Sequence, residues 1–300
     1  MNQYPIRTLS ELTGIPTTTL RAWERRYGLL KPDRTPKGHR LYSSEDVELI
    51  REISALLKSN HTISGAIRIV RDPDRNSLIQ QPPGEDHWLG FQQELLKSIE
   101  AFNDQKLDKV YNDALSIYPI DMVNEHVIIP VLRSLGEQWQ NREAGIAEEH
   151  FFSAFLRNKL GARFHHQSNN SRGKQILVAC LSGEYHELGI LLYCIAAIGR
   201  GYRILYLGSN MPPQQIATVV SRTHVSAVLL SASSIDDWDG ENELELKNCI
   251  DALDIPVMFG GDICDRFADR IEQLGGQSLG SDHVSALDKM ESIIPAYSKP

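Results

Sequence analysis

Residues 175–189 read QILVACLSGEYHELG, an apolar run followed by a polar turn that holds one histidine. The apolar run has the length and composition of a buried β-strand, and a helical pattern begins near residue 186. Short strands alternate with helices from here onward: strands at 175–179, 203–207, 227–231, 256–259 and 277–279, and helices at 186–198, 213–224, 244–253 and 265–274. This alternation predicts βαβ units in a parallel sheet with the flavodoxin-like strand order 2-1-3-4-5.

Three of these strands are followed by small or polar motifs. In chain order the motifs are E-x-H-x-x-G, then S-A-S, then G-G, made by Glu184, His186 and Gly189, by Ser231 and Ser233, and by Gly260 and Gly261. Strands 1, 3 and 4 are neighbours in the predicted order. Because loops at the carboxyl ends of neighbouring parallel strands converge on one crevice, the three motifs are expected to form one ligand site.

The N-terminal part of the chain is basic although the whole protein has a net charge of −8. Residues 1–72 hold 12 Lys/Arg and 8 Asp/Glu, a net +4, and the remainder is −12. Within residues 17–42 there are seven basic and two acidic residues. A basic block on an acidic protein indicates a local polyanion site.

Residues 17–28 read TTTLRAWERRYG and predict the second helix of a helix-turn-helix, and the Pro- and Gly-rich residues 31–41 predict a hairpin wing. Arginines on such a helix can fork onto guanine edges or phosphates. The alternative interpretation is a solvated basic helix with core aromatics. The candidate DNA contacts are Thr18, Arg21, Trp23, Arg25, Arg26 and Tyr27 on the helix, and Arg34, Lys37, His39, Arg40 and Tyr42 on the wing.

The motifs R-A-W-E-R-R-Y-G and K-P-x-R-T-P-x-G-H-R-L-Y-S resemble the winged-helix DNA-binding domain of the MerR family over about 70 residues. The resemblance implies a dimer on a near-palindromic promoter or operator in double-stranded DNA. MerR relatives usually dimerise through a long helix after this domain. Here a Pro- and Asp-rich linker and a predicted helical bundle take that place, so the mode of assembly stays open.

We therefore predict three domains: an all-α winged helix-turn-helix at 1–72, a helical bundle at 86–166 and an α/β flavodoxin-like domain at 173–300. No apolar run is long enough to span a bilayer, and the N-terminus lacks a signal-peptide core, so we expect a cytoplasmic protein without a membrane partner. The four cysteines are widely separated and form no C-x-x-C, which favours buried, reduced thiols.

The three C-terminal motifs are similar to the base-off cobalamin-binding fingerprint, D-x-H-x-x-G, S-x-L and G-G, at matching spacing. The resemblance implies that His186 is the lower axial ligand of cobalt, that a carboxylate orients its imidazole, and that the glycines and serines border the cofactor. Two positions depart from the fingerprint. Glu184 replaces aspartate and keeps a carboxylate, whereas Ser233 replaces leucine and removes an apolar contact. The alternative is a surface or packed histidine.

In the bundle, Trp139 followed by Glu149 and His150 resembles the light-sensing, cobalamin-dependent MerR repressors of the CarH/LitR type. The resemblance implies that the tryptophan covers the upper ligand and that the Glu-His pair contacts the adenosyl group. Without it, these residues read as bundle core and helix surface. Gln140 stands where the family type has a histidine that captures cobalt after photolysis, and an amide is a poorer cobalt(III) ligand.

The sequence thus predicts a non-enzymatic DNA-binding regulator, a repressor in the dark, that senses light through adenosylcobalamin, with methylcobalamin as the alternative form. It would act as a homo-oligomer, either a dimer or a dark tetramer. A second hypothesis is a MerR-type regulator whose corrinoid domain no longer binds cobalamin and serves oligomerisation or partner binding. A third is a corrinoid shuttle enzyme, against which the DNA-reading head argues.

Overall fold

The computed structural model describes residues 3–36, 38–59, 61–71, 86–138, 143–168, 172–233 and 240–295. The chain divides into two compact units, Met1–Phe152 and Ser153–Pro300. The boundary between the units falls within one helix, Gly145–Ser168. The division into domains at 1–72, 86–166 and 173–300 stays a prediction.

The first unit begins with the predicted winged helix-turn-helix. Its elements are β1 (Gln3–Pro5), α1 (Ile6–Thr13), α2 (Thr17–Tyr27), β2 (Asp33–Arg34), β3 (Arg40–Ser43), α3 (Ser44–Lys58) and α4 (Ile63–Arg71). The strands form an antiparallel sheet in the order β1-β3-β2, and the β2–β3 hairpin is the wing.

Local sequence signals explain where the helices of this head begin and end. Helix α2 ends at Gly28, whose φ of 55° lies in the left-handed region that glycine adopts readily. Helix α3 begins at a capping box in which the Ser43 hydroxyl accepts from the Asp46 N–H and the Asp46 carboxylate accepts from the Ser43 N–H. Such caps stabilise a helix by about 1 kcal/mol.

The rest of the first unit is the predicted helical bundle. It contains α5 (Asp86–Glu100), α6 (Asp104–Ile117), α7 (Ile120–Val123), a π-helical turn at Asn124–Ile128, α8 (Ile129–Gln138) and the first turns of α9 (Gly145–Ser168). Its core is formed by apolar side chains such as Leu95, Ile99, Leu107 and Val127, which recur at helical spacing. Within the described ranges, no helix is long and apolar enough to cross a membrane.

The second unit continues α9 and then alternates strands and helices. In order these are β4 (Gln175–Leu181), α10 (Leu188–Gly199), β5 (Arg203–Met211), α11 (Pro213–Ser221), β6 (Ala227–Ser231), α12 (Gly240–Asp251), β7 (Val257–Gly260), α13 (Ile263–Gln273), β8 (Gln277–Ser278) and α14 (His283–Ile293). The strands are parallel, in the order β5-β4-β6-β7-β8. This confirms the predicted order 2-1-3-4-5.

Successive side chains of β4 point alternately into two hydrophobic cores, one on each face of the sheet. Ile176 and Val178 pack in one core with helices α10 and α14, whereas Leu177 and Ala179 pack in the other with helices α11 to α13. A strand that is buried on both faces is apolar throughout, which is why residues 176–181 read as a continuous apolar run. The four cysteines, all within the described residues, are buried and free, as predicted.

Candidate functional site

The three predicted motifs come together at the carboxyl edge of the sheet. His186 lies in the loop between β4 and α10, Ser231 ends β6, and Gly260 ends β7. Strand β6 lies between β4 and β7 and pairs with both, so the three loops are neighbours. The geometry predicted for the crevice is therefore present, while the ligand roles of these residues remain predictions.

One buried carboxylate connects two of these loops, the one after β4 and the one after β6. The side chain of Glu184 is fully buried and accepts hydrogen bonds from the backbone N–H of His186, at 2.6 Å, and of Ser233, at 2.5 Å. Its carboxylate oxygen Oε1 also lies 2.9 Å from Nδ1 of His186. Several donors on one carboxylate offset the loss of hydration that its burial entails.

The imidazole of His186 is held on one side and open on the other. Its side chain is 70% exposed although Nδ1 faces the buried carboxylate. In the neutral tautomer that suits this contact, Nδ1 carries the proton and donates to Glu184, which leaves the lone pair of Nε2 for a metal ion. A carboxylate behind a histidine is the arrangement that orients metal-binding imidazoles in proteins. Glu184 therefore lies where the fingerprint has its aspartate, with its carboxylate against Nδ1 of His186.

The two serines differ in their surroundings. Ser231 is buried at the end of β6, whereas the side chain of Ser233 is exposed. The contact that Ser233 makes with Glu184 uses its backbone N–H, which every residue except proline provides. The replacement of the leucine of the fingerprint by Ser233 therefore leaves this hydrogen bond intact.

The glycines of the site also differ. Gly261 has a φ of 91°, and a Cβ there would lie 2.8 Å from the carbonyl oxygen of Ala232 and 3.1 Å from Oγ of Ser231. At Gly260 the nearest atom would be a Leu229 methyl at 3.7 Å, an ordinary contact, and at Gly189 nothing lies within 4 Å. The protein itself thus requires glycine at residue 261, and residue 189 leaves open space for a ligand to approach.

Substitution of these adjacent glycines should have unequal effects. We expect Gly261→Ala to lower the free energy of unfolding by about 1–3 kcal/mol, because both its φ and the Ala232 carbonyl oppose a Cβ. Gly260→Ala is the matched control and should change it by less than about 1 kcal/mol. Urea denaturation followed by circular dichroism measures both. Equal losses would contradict the distinction.

Sequence analysis missed Asn210, which supports the same loop. Its backbone N–H donates to the Glu184 carbonyl at 2.8 Å, and its side-chain oxygen accepts from the Gly183 N–H at 2.9 Å. Asn210 has a φ of 52°, a conformation that asparagine tolerates better than most residues. Strand β5 was expected to end at residue 207 but runs to Met211 with a shifted register, so Asn210 was not associated with the edge.

Glu187, directly after the histidine, is a second carboxylate that sequence analysis did not single out. Its Oε1 lies 2.8 Å from Arg157 Nε, and its Oε2 accepts from the Tyr206 hydroxyl at 2.9 Å. Burial and this hydrogen bond raise the pKa of Tyr206. His186 is therefore flanked by two carboxylates that are both held by other residues.

The residues predicted to cover the upper ligand are described only in part. Trp139 and Gln140 lie outside the described residues. Glu149 and His150 lie near the start of α9, with Nε2 of His150 3.7 Å from Oε2 of Glu149, and the His150 side chain is exposed. Their contact with an adenosyl group stays a prediction.

The predicted DNA-contacting surface is largely exposed. Thr18, Arg21, Arg25 and Arg26 of α2 and Arg34 and His39 of the wing are exposed, Tyr27 and Arg40 are partly exposed, and Lys37 lies outside the described residues. These residues remain candidates for contacts to phosphates and base edges.

Two aromatic residues of this set are core residues instead. Trp23 and Tyr42 are fully buried. The indole Nε1–H of Trp23 donates to the carbonyl of Ile117 in α6, at 2.7 Å, and the Tyr42 hydroxyl donates to Glu24 Oε2, at 3.1 Å. The burial of both rings contradicts their predicted contacts with DNA, because neither ring is at the surface.

Two family models match separate parts of the chain. Residues 4–72 match the MerR HTH family regulatory protein model, and residues 92–163, most of the bundle, match a B12 binding domain. Together with the cobalamin-type motifs at the sheet edge, these matches define the class of protein: a B12-binding transcriptional regulator with a MerR-type DNA-binding head.

Curated relatives agree with this class. The chain is 30% identical over 262 residues to the HTH-type transcriptional repressor CarA of Myxococcus xanthus, covering 85% of each chain. It is 27% identical over 287 residues to the HTH-type transcriptional repressor CarH of the same organism, covering 90% of this chain and 95% of that one. The chain belongs to this family of MerR-type HTH transcriptional repressors.

Among solved structures, the monomethylamine corrinoid protein of Methanosarcina barkeri aligns with a TM-score of 0.54 at 16% identity, covering 69% of this chain and 99% of that chain. At this identity the likeness shows the fold alone. It confirms the predicted order of a helical region followed by a parallel-sheet α/β domain.

Proposed function

We propose that this protein is a cytoplasmic, light-responsive repressor that binds operator DNA in the dark with adenosylcobalamin held through His186. Methylcobalamin is the alternative form. The observation that carries the proposal is the exposed imidazole of His186, whose Nδ1 is anchored to the fully buried carboxylate of Glu184. Exposure on one side and orientation from the other are what axial ligation of a metal requires.

The residues at the sheet edge fit a corrinoid. The donor is a single neutral imidazole, which suits cobalt, and no Cβ at residue 189 blocks the approach of a large planar ligand. When bound, cobalamin would supply a coordination position for the imidazole below and a light-sensitive bond to its upper group. In this arrangement His186 would bind the metal, Glu184 would keep the proton on Nδ1, and Gly189, Ser231 and Gly260 would border the cofactor.

The upper face would be covered by Trp139, Glu149 and His150. An indole can lie over adenine, and a carboxylate and an imidazole can hydrogen-bond ribose or adenine edges. Gln140 departs from the CarH type, because an amide is a weaker cobalt ligand than imidazole. We therefore expect residue 140 to supply no nitrogen ligand to cobalt in the illuminated protein.

Contacts within the first unit support transmission from the bundle to DNA. The DNA-reading helix α2 packs on bundle helix α6, where Trp23 donates to the Ile117 carbonyl and Arg26 lies 4.0 Å from Asp113. A rearrangement of the bundle would thus act directly on the helix that reads DNA. A ligand drives such a change only through different contacts in the two states.

The test compares dark and green light. After reconstitution with adenosylcobalamin, we expect a visible spectrum of ligated cobalamin, operator retardation in the dark, and weaker retardation and a smaller oligomer after illumination. Gel shift and light scattering measure these. Equal DNA binding in dark and light contradicts light sensing. A colourless protein contradicts cobalamin binding and favours the alternative, a degenerate corrinoid domain that serves oligomerisation or partner binding.

A further inference from the structure

A carboxylate lies within the predicted DNA-contacting region of the head. Residues 17–42 contain seven basic residues and two acidic ones, Glu24 and Asp33. DNA presents a dense row of phosphates, so a carboxylate at this surface weakens binding through repulsion unless it has another task. Glu24 belongs to helix α2 itself and stands between Arg21 and Arg25 in the sequence. At this position repulsion between the carboxylate and the DNA phosphates would be strongest.

Both carboxylate oxygens of Glu24 are occupied by residues of strand β3. Oε1 accepts from Arg40 Nε at 3.0 Å, and Oε2 accepts from the Tyr42 hydroxyl at 3.1 Å. The Glu24 side chain is only 19% exposed, so water competes little for these bonds. Burial, and to a smaller extent the negative charge of Glu24, raises the pKa of Tyr42 to about 12. The Tyr42 hydroxyl therefore keeps its proton and remains a donor at neutral pH.

Arg40 keeps part of its guanidinium available. In the part of the chain that the structure describes, its hydrogen bond runs from Nε to Glu24, and its side chain is 39% exposed. A guanidinium held through Nε still presents its two terminal nitrogens as a fork for a phosphate. Its direct cross-strand neighbour is Arg34, another cation, and the charge of Glu24 offsets this repulsion.

We propose that Glu24 is a positioning residue for DNA binding, which clamps Arg40 of the wing to the reading helix so that the Arg40 fork is preorganised for the phosphate backbone. The clamp sets the distance between the helix that enters the groove and the wing that contacts the backbone. Because the side chain is held before DNA arrives, less conformational freedom is lost on binding. This role does not depend on cobalamin.

The proposal predicts an effect opposite to that of charge alone. Glu24→Gln keeps the shape and removes a negative charge, so electrostatics alone predicts tighter DNA binding. The clamp predicts weaker binding, by roughly 5- to 30-fold, which is the ratio that corresponds to a loss of about 1–2 kcal/mol. It also predicts that the slope of the logarithm of the binding constant against the logarithm of the salt concentration becomes shallower by about 0.9, because one phosphate contact is lost.

The probe is one mixed-sequence, fluorescein-labelled duplex, because phosphate contacts do not depend on sequence. The full-length protein is titrated at several KCl concentrations by fluorescence anisotropy. Asp33→Asn is the matched control, since it removes the same charge from the same surface, where Asp33 accepts from exposed Gln3. We expect Asp33→Asn to bind equally well or more tightly. Tyr42→Phe removes the hydroxyl but keeps the Arg40 bond and should retain the wild-type slope.

A double variant separates positioning from a general loss of folding. In an Arg40→Met background the clamp has nothing to hold, so adding Glu24→Gln should no longer weaken binding. Glu24→Asp keeps the charge and shortens the reach, so it should also weaken binding, and it serves as the test if Glu24→Gln does not fold. The proposal is overturned if the Gln and Asp variants bind DNA as tightly as the wild type, or if Glu24→Gln weakens binding equally in the Arg40→Met background.

Discussion

His186→Ala should remove the proposed cobalt–imidazole bond and with it most of the affinity for adenosylcobalamin. The imidazole is the exposed donor of the crevice, and its Nδ1 is already engaged by Glu184, so Nε2 is oriented for the metal. Removing only the partner behind a metal-binding histidine usually lowers affinity by about 10- to 100-fold, and removing the ligand itself should lower it at least as much.

Visible titration with adenosylcobalamin measures both the affinity and the ligation state. The alanine variant should give the spectrum of cobalamin without a nitrogen below the cobalt, and added imidazole should restore the wild-type spectrum. The control is His224→Ala, an exposed histidine that precedes β6 and therefore lies at the opposite edge of the sheet. A His186→Ala variant with the wild-type spectrum would remove the basis for axial ligation by this residue.

Glu184→Gln should weaken both the fold and the site. The carboxylate of Glu184 accepts from the N–H groups of His186 and Ser233 and faces the His186 ring. A glutamine side chain has only one acceptor oxygen. Its NH2 group would face one of the two backbone N–H donors, and two donors cannot bond each other. An unsatisfied buried N–H costs about 1–3 kcal/mol, so the free energy of unfolding should fall by that amount. Cobalamin affinity should also fall, by about 10- to 100-fold, because the imidazole loses its orienting partner.

Urea denaturation of the cofactor-free protein and visible titration test the two effects separately. Glu272→Gln, at an exposed glutamate on α13, is the matched control and should change stability by less than about 0.5 kcal/mol. Wild-type stability and affinity in the Glu184→Gln variant would show that the buried carboxylate neither stabilises the loops at the carboxyl edge of the sheet nor orients the His186 imidazole.

Much of the architecture could be predicted from local patterns. The strand order followed from apolar runs that alternate with helical stretches, because strands buried on both faces must be apolar throughout. The convergence of His186, Ser231 and Gly260 followed from that order alone. The boundaries were less predictable: β5 extends to Met211 through an irregular register, which placed Asn210 beside Glu184.

The orientation of side chains could not be predicted in the same way. Trp23 and Tyr42 stand among arginines in the sequence. The sequence of a basic helix or wing does not show whether an aromatic ring within it faces DNA or the core. Their burial depends on residues far along the chain, since the Trp23 indole meets the carbonyl of Ile117, 94 residues away. The same holds for Glu24, whose partners Arg40 and Tyr42 lie on another element.

The amino-acid sequence by itself determined the order of the elements, the basic DNA-reading head and the edge of the sheet where a ligand would bind, because periodicity and residue type are local properties. The tertiary structure alone decided that Glu184 is completely buried and bonds the backbone of Ser233, 49 residues later. Backbone N–H groups are the same in nearly every residue, so a sequence carries no sign of which ones a buried carboxylate will meet once the strands have paired.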